Sequence, residues 1–73
     1  MNRVRTYRKE MNMSQLDLAK SIEVARQTIN LIENDKYNPS LDLCIKIAKA
    51  LNTDLNTLFW EEDEGENDDS ING

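Results

Sequence analysis

The chain of 73 residues contains no histidine and a single cysteine, Cys44. It therefore cannot close an internal disulfide. It also lacks the ligands of a zinc finger and the base of a Cys/His or Ser/His catalytic arrangement. Cys44 lies in an apolar helical stripe and is expected to be a small core residue. No run approaches the roughly eighteen apolar residues of a membrane span. The opening segment MNRVRTYRKE is charged and has no apolar core, so it is not a signal peptide. A soluble, cytoplasmic protein is expected. The chain is too short for a cleft between domains, which argues against a metabolic enzyme, and its stability should be modest unless an oligomer adds to it. No metal or cofactor is expected.

Net positive charge is also missing. The formal charge is −5, with nine Lys and Arg against fourteen Asp and Glu. The distribution matters more than the sum. All nine basic residues precede residue 50, and seven of the fourteen acids lie in the last thirteen residues, between Glu61 and Asp69. Residues 1–60 thus carry a balance of +2 and form the expected domain. Residues 61–73 hold one apolar residue, Ile71. Such a segment cannot offset its ordering entropy by burial, so it is expected to be a disordered acidic tail.

Within the domain the apolar residues recur at helical spacing. Val4, Tyr7 and Met11 mark a first helix from Asn2 to about Met11, with Asn2 as its N-cap. Ser14 opens a second helix that runs to about Ser21, with Asp17 at the capping-box position and Leu18, Ala19 and Ile22 on one apolar face. Leu16 falls off that face. After a turn at Ile22-Glu23-Val24, a third helix runs from Ala25 to Glu33, with Ile29 and Ile32 inward. The loop NDKYNP precedes a fourth helix capped by Ser40, whose stripe is Leu41, Cys44, Ile45, Ile47, Ala48 and Leu51. Asp54 caps a short final turn that buries Leu55, Leu58 and Phe59, and Phe59-Trp60 could extend into a short strand. The fold class is therefore all-α, a bundle of five helices.

Residues 14–34 have the layout of a helix-turn-helix, in which the second helix of the pair enters the major groove of duplex DNA. The exposed face of that helix carries Arg26, Gln27, Thr28, Asn30 and Leu31. A merely solvated face would hold Glu and Lys. Gln and Asn can pair bidentately with adenine and Arg with guanine, while Thr or Leu can touch a thymine methyl.

The linked motifs carry a resemblance. They are S-Q-x-x-L-A at Ser14 to Ala19, R-Q-T-I-N-x-I-E-N at Arg26 to Asn34 and K-Y-N-P-S-L at Lys36 to Leu41. K-I-A-x-x-L follows at Lys46 to Leu51 and D-L-x-x-L-F at Asp54 to Phe59. The chain resembles the Xre/lambda-repressor-like (Cro/C1-type) helix-turn-helix regulators over roughly residues 3–59, and within them the compact subgroup that works as a homodimer. The resemblance implies that Gln15 holds a DNA phosphate and braces Gln27. It implies that Arg26, Gln27 and Thr28 read bases or adjacent phosphates and that Leu31 meets a base edge or methyl. Asn34 and Lys36 would hold backbone phosphates. Arg8 and Glu33 would form a buried ion pair between the first and third helices. Three positions depart from the family pattern: Glu23 and Asp35 stand where Gly is usual, and Ala25 where Ser or Thr is usual.

The expected function is sequence-specific regulation of transcription, most simply repression, by a homodimer on a pseudo-palindromic operator. Leu43, Ile45, Leu55, Phe59 and Trp60 are the candidate dimer surface, although Trp60 could equally fold onto its own core. The alternative is an antitoxin-like module that uses the same fold to hold a protein partner, with the acidic tail as the contact.

Overall fold

The structure, a computed structural model, describes residues 2–60, with Trp60 described by its backbone alone. Four α-helices and a closing π-helical turn follow one another: α1 (Val4–Glu10), α2 (Gln15–Ser21), α3 (Arg26–Glu33), α4 (Leu41–Ala50) and α5 (Asn56–Trp60). The described residues contain no strand, and Phe59-Trp60 belongs to the last helical turn. The acidic tail expected at residues 61–73 and the expected role of the Trp60 side chain lie outside the described residues.

Local side chains decide where the helices start. Ser14 and Asp17 form a full capping box: the Ser14 hydroxyl accepts from the Asp17 N–H at 2.9 Å, and an Asp17 carboxylate oxygen accepts from the Ser14 N–H at 3.0 Å. The Ser40 hydroxyl accepts from the Leu43 N–H, and Asp54 Oδ1 accepts from the Thr57 N–H. Each of these bonds satisfies an amide that the first helical turn leaves without a partner. Asn2 acts one residue earlier than a standard cap. Its Oδ1 accepts from the Val4 N–H, while its Nδ2 donates to the Ile32 carbonyl at 2.8 Å and to Asp35 Oδ1 at 3.0 Å.

The four α-helices end in one way. Asn12, Glu23, Asp35 and Asn52 follow the helix ends with φ of 58°, 62°, 56° and 57°. In each case the amide of that residue and the next bond back to carbonyls of the last turn, as with Asp35 to Ile32 and Lys36 to Leu31. This cap favours glycine, because a left-handed residue with a Cβ is strained. The chain's only glycines are Gly65 and Gly73, so these termini use Asn, Asp and Glu instead.

The core is one apolar cluster. Leu18, Ala19 and Ile22 of α2 and its end meet Ile29 and Ile32 of α3, Val4 of α1, Ile47, Ala48 and Leu51 of α4 and its end, and Leu58 of α5. Each large aliphatic side chain buried in this way contributes about 1.5–3 kcal/mol. Arg3 N–H donates to the Leu58 carbonyl at 2.9 Å and closes the bundle by joining its first and last turns.

The expected stripe on α4 is narrower than its apolar residues suggest. Leu41 is 62% exposed and Ile45 37%. Ile45 sits one residue step, about 100° of helix rotation, round from Cys44. Leu41 occupies the first helical position, where its side chain leans past the end of the core. Cys44 is half-buried, with Sγ 3.9 Å from the Pro39 carbonyl. Burial pushes its thiol up, away from reactive thiolate. Leu16, off the inward face as expected, is 46% exposed.

Candidate nucleic-acid interface

α2 and α3 are joined by a tight turn, and α3 lies across α2 with Ile29 and Ile32 inward. That placement turns Arg26 and Gln27 to the surface, with Thr28, Asn30 and Leu31 half-buried beside them. Gln15, at the start of α2, is also half-buried, while Asn34 and Lys36, just past α3, are exposed. Ala25 precedes the helix in extended conformation and gives it no side-chain cap. The first amides of α3 therefore lack a side-chain cap such as Ser14 supplies to α2, although the Thr28 N–H turns back to the Ala25 carbonyl at 3.0 Å.

At its other end α3 carries Glu33, a carboxylate only 2% exposed. Arg8 grips it with Nε to Oε2 at 2.6 Å and Nη2 to Oε1 at 3.3 Å. Arg8 Nη1 reaches on to the Met13 carbonyl at 2.7 Å, which ties the α1–α2 connection to the same point. Oε1 of Glu33 also accepts from Gln15 Nε2 at 3.2 Å and from Arg5 Nε at 3.3 Å. Burial alone would push the Glu33 carboxyl up. The hydrogen bonds from Arg8, Gln15 and Arg5, together with the Arg8 charge, outweigh it and hold the group below its ordinary value. Glu33 is thus a buried anion with its hydrogen-bonding capacity met.

The network runs from this buried point to the surface. Since Gln15 gives an N–H to Glu33, its Oε1 is turned away and accepts from Arg26 Nη1 at 3.4 Å. The expected brace between Gln15 and its neighbour thus reaches Arg26 and not Gln27. On the other side Arg5 Nη2 donates to Asn34 Oδ1 at 3.1 Å, and Asn34 Nδ2 donates to the Asn30 carbonyl at 2.8 Å. The structure therefore brings Arg8, Glu33, Gln15, Arg26, Asn34 and Asn30 into one connected set. Gln27, Thr28, Leu31 and Lys36 stand outside that set, on or beside the same helix.

Of the residues considered for a dimer surface whose side chains are described, Leu43, Leu55 and Phe59 pack half-buried against the core and Ile45 is exposed. Among the described residues no helix is long and apolar enough to cross a membrane.

A helix-turn-helix family model matches residues 4–58, which spans all of α1 to α4 and most of α5. The chain belongs to the Cro/C1-type helix-turn-helix family. It is 46% identical over 63 residues to an uncharacterized HTH-type transcriptional regulator of Methanocaldococcus jannaschii, covering 86% of this chain and 96% of that one. It is 35% identical over 60 residues to the immunity repressor protein of Bacillus phage phi105, covering 82% of this chain and 42% of that protein. Among solved structures it is similar to a chain of the SinR protein/SinI protein complex. The TM-score is 0.76 and the identity 32%, over 89% of this chain and 64% of that chain. This helix-turn-helix protein is thus a member of a family of transcriptional regulators and not of enzymes.

Two residues that clasp α1 to the end of α3 are absent from the motif reading, Asn2 and Arg5. Both act across the α1–α3 contact, which no local pattern displays. One signal was present: Arg5 lies three residues before Arg8, on the same face of α1.

Proposed function

We propose that this helix-turn-helix protein is a sequence-specific transcriptional repressor that binds a pseudo-palindromic operator as a homodimer. The observation that carries the reading is the exposed polar face of α3, anchored at its far end by the buried Glu33 set. Arg26, Gln27, Thr28, Asn30 and Leu31 read base edges in the major groove. Gln15, Asn34 and Lys36 hold the sugar-phosphate backbone and set the register of the helix. Phosphate contacts supply much of the affinity, so binding falls steeply with salt. The dimer forms through Leu43, Ile45, Leu55, Phe59 and Trp60, with half-sites about 34 Å apart, one turn of the duplex. Repression follows from occupancy of promoter DNA.

Selection from a randomised duplex pool tests this. The expected result is a two-fold symmetric site, on which Gln27→Ala loses about 1–3 kcal/mol per half-site if Gln27 pairs bidentately. Equal binding of that site by Gln27→Ala overturns the assignment of the recognition face. A monomer in sedimentation at high micromolar concentration overturns the dimer.

A second reading is a module that holds a protein partner. It is favoured by the similar solved chain, which stands in a complex of the SinR and SinI proteins, and by the acidic composition of residues 61–73. Truncation at Glu62 separates the two readings. Unchanged DNA binding and no lost partner leave the tail a solubilising end, whereas tighter DNA binding means that the tail competes with DNA for the basic domain.

A further inference from the structure

Glu33 is met by more positive charge than one carboxylate requires. Arg8 alone neutralises it from a side chain only 9% exposed. Arg5 brings a second guanidinium to the same Oε1, from a side chain that is 46% exposed. A second arginine adds little to a pair already made, and it leaves this point of the surface with one positive charge in excess. The fork of Arg5 is also divided. Its Nε bonds to Glu33 and its Nη2 to Asn34 Oδ1, and the rest of its five N–H donors meet no partner among the described residues. Two anchors hold the guanidinium in one orientation, so little rotamer freedom remains to be lost when it meets an anion.

Asn34 is partly occupied. Its Oδ1 accepts from Arg5, and one Nδ2 hydrogen donates to the Asn30 carbonyl. Its second Nδ2 hydrogen is left for a phosphate, so Asn34 can hold Arg5 and meet the backbone beside it. We infer that Arg5 is a further phosphate-holding residue of the DNA interface, with Glu33 and Asn34 as its positioning residues. The inference rests on the DNA-binding reading above and adds to it a contact from α1. The ligand is a backbone phosphate of duplex DNA beside the C-terminal end of α3, which a planar guanidinium fork can meet with two parallel N–H bonds.

The test is a titration of the full chain and of Arg5→Ala with a short mixed-sequence duplex across salt concentrations, with the thermal midpoint of each protein measured alongside. Lys49→Ala, which removes an exposed cation of α4, serves as the control. Loss of one phosphate contact lowers the slope of log affinity against log salt by about 0.9 for each protomer bound. For Arg5→Ala the expected result is that drop, an affinity loss of about tenfold in low salt, equal on selected and unselected duplexes, and a slope unchanged in Lys49→Ala. An unchanged slope in Arg5→Ala, with any affinity loss tracking the thermal midpoint, makes Arg5 structural only and overturns the inference. An equal drop in Lys49→Ala also overturns it, because the effect is then bulk charge. A parent chain that binds no duplex at low salt overturns the DNA-binding reading itself, which is distinguishable from a parent that binds with the same slope as Arg5→Ala.

Discussion

The two ends of α3 are built in opposite ways. At the C-terminal end the buried carboxylate is fully answered. Glu33 lies buried under four hydrogen bonds from Arg5, Arg8 and Gln15, and Asn2 reaches across to Ile32 and Asp35. At the N-terminal end little is answered beyond the Thr28 N–H, which donates to the Ala25 carbonyl. Ala25 offers no cap, Gln27 has no side-chain bond among the described residues, and Arg26 makes one bond at 3.4 Å. Satisfied polar groups at low dielectric hold one geometry, while exposed ones are hydrated and can exchange that water for a partner. The helix is therefore fixed at one end and presented at the other.

The largest way to break this contrast is at the fixed end. Glu33→Ala strands the buried Arg8 guanidinium and should lower stability by about 3–5 kcal/mol, read as the urea midpoint. Each kcal/mol corresponds to a shift of about 4–8 °C in Tm for a domain of this size, so the variant's Tm should fall by about 12–40 °C. Replacing the pair by Arg8→Met with Glu33→Leu should restore much of that loss, because an apolar pair of similar volume strands no charge. If Glu33→Ala is as stable as the parent, the buried set is not what fixes α3.

The same end sets the response to acid. The Glu33 carboxyl is held below its ordinary value, and so are the helix-capping carboxyls Asp17, by the Ser14 N–H and hydroxyl, and Asp54, by Thr57. A depressed folded value means that the folded state favours the anion. Its contribution is complete above the unfolded value and is lost as pH falls through the folded one. Stability should therefore be level near neutrality and fall in the range below the ordinary carboxylate values. Glu33→Gln should show a shallower acid limb in urea midpoints taken against pH. An equally steep limb would assign the acid sensitivity to the exposed caps.

The starts of α2, α4 and the last turn were legible because Ser14, Ser40 and Asp54 act within three residues of themselves, and hydrogen bonds on that scale leave a local pattern. The inward set of α2 and α3 was legible for a similar reason: Leu18, Ile22, Ile29 and Ile32 keep helical spacing. The width of the α4 stripe was not, since spacing says which residues share a face but not how much of that face a neighbour covers, and Leu41 and Ile45 are left outside. In the candidate site, the surface residues of α3 follow from periodicity, whereas Arg5 and Asn2 do not. Their bonds reach 28 to 33 residues along the chain and exist only once α1 lies against α3.

At the open end the effect to test is smaller. Ala25→Ser supplies the missing cap and should raise stability by about 1 kcal/mol, measured by urea unfolding. The added hydroxyl also stands where the family usually keeps Ser or Thr, so DNA affinity should not fall. A variant no more stable than the parent would mean that the bond from the Thr28 N–H to the Ala25 carbonyl already serves as the cap, and the contrast between the two ends would narrow.

The smallest effects come from the left-handed residues that flank α3, and they separate its two ends once more. Glu23 leads into the open end with φ 62°, and its side chain makes no hydrogen bond or ion pair among the described residues. Glycine there relieves a left-handed strain of roughly 1–2 kcal/mol, set against about 0.5–1 kcal/mol of added chain entropy in the unfolded state. Glu23→Gly should therefore raise the unfolding midpoint modestly. Asp35 leaves the fixed end with φ 56°, but it is a residue that tolerates this conformation better, and its Oδ1 accepts from Asn2 Nδ2. Asp35→Gly removes that bond, worth about 0.5–1.5 kcal/mol, along with a smaller strain. Its stability should match the parent's within a few tenths of a kcal/mol. DNA affinity should nevertheless rise, because a negative charge beside Lys36 and Asn34 is gone. If Asp35→Gly instead stabilises the chain as much as Glu23→Gly does, the Asn2 clasp contributes nothing, and the fixed end of α3 rests on Glu33 alone.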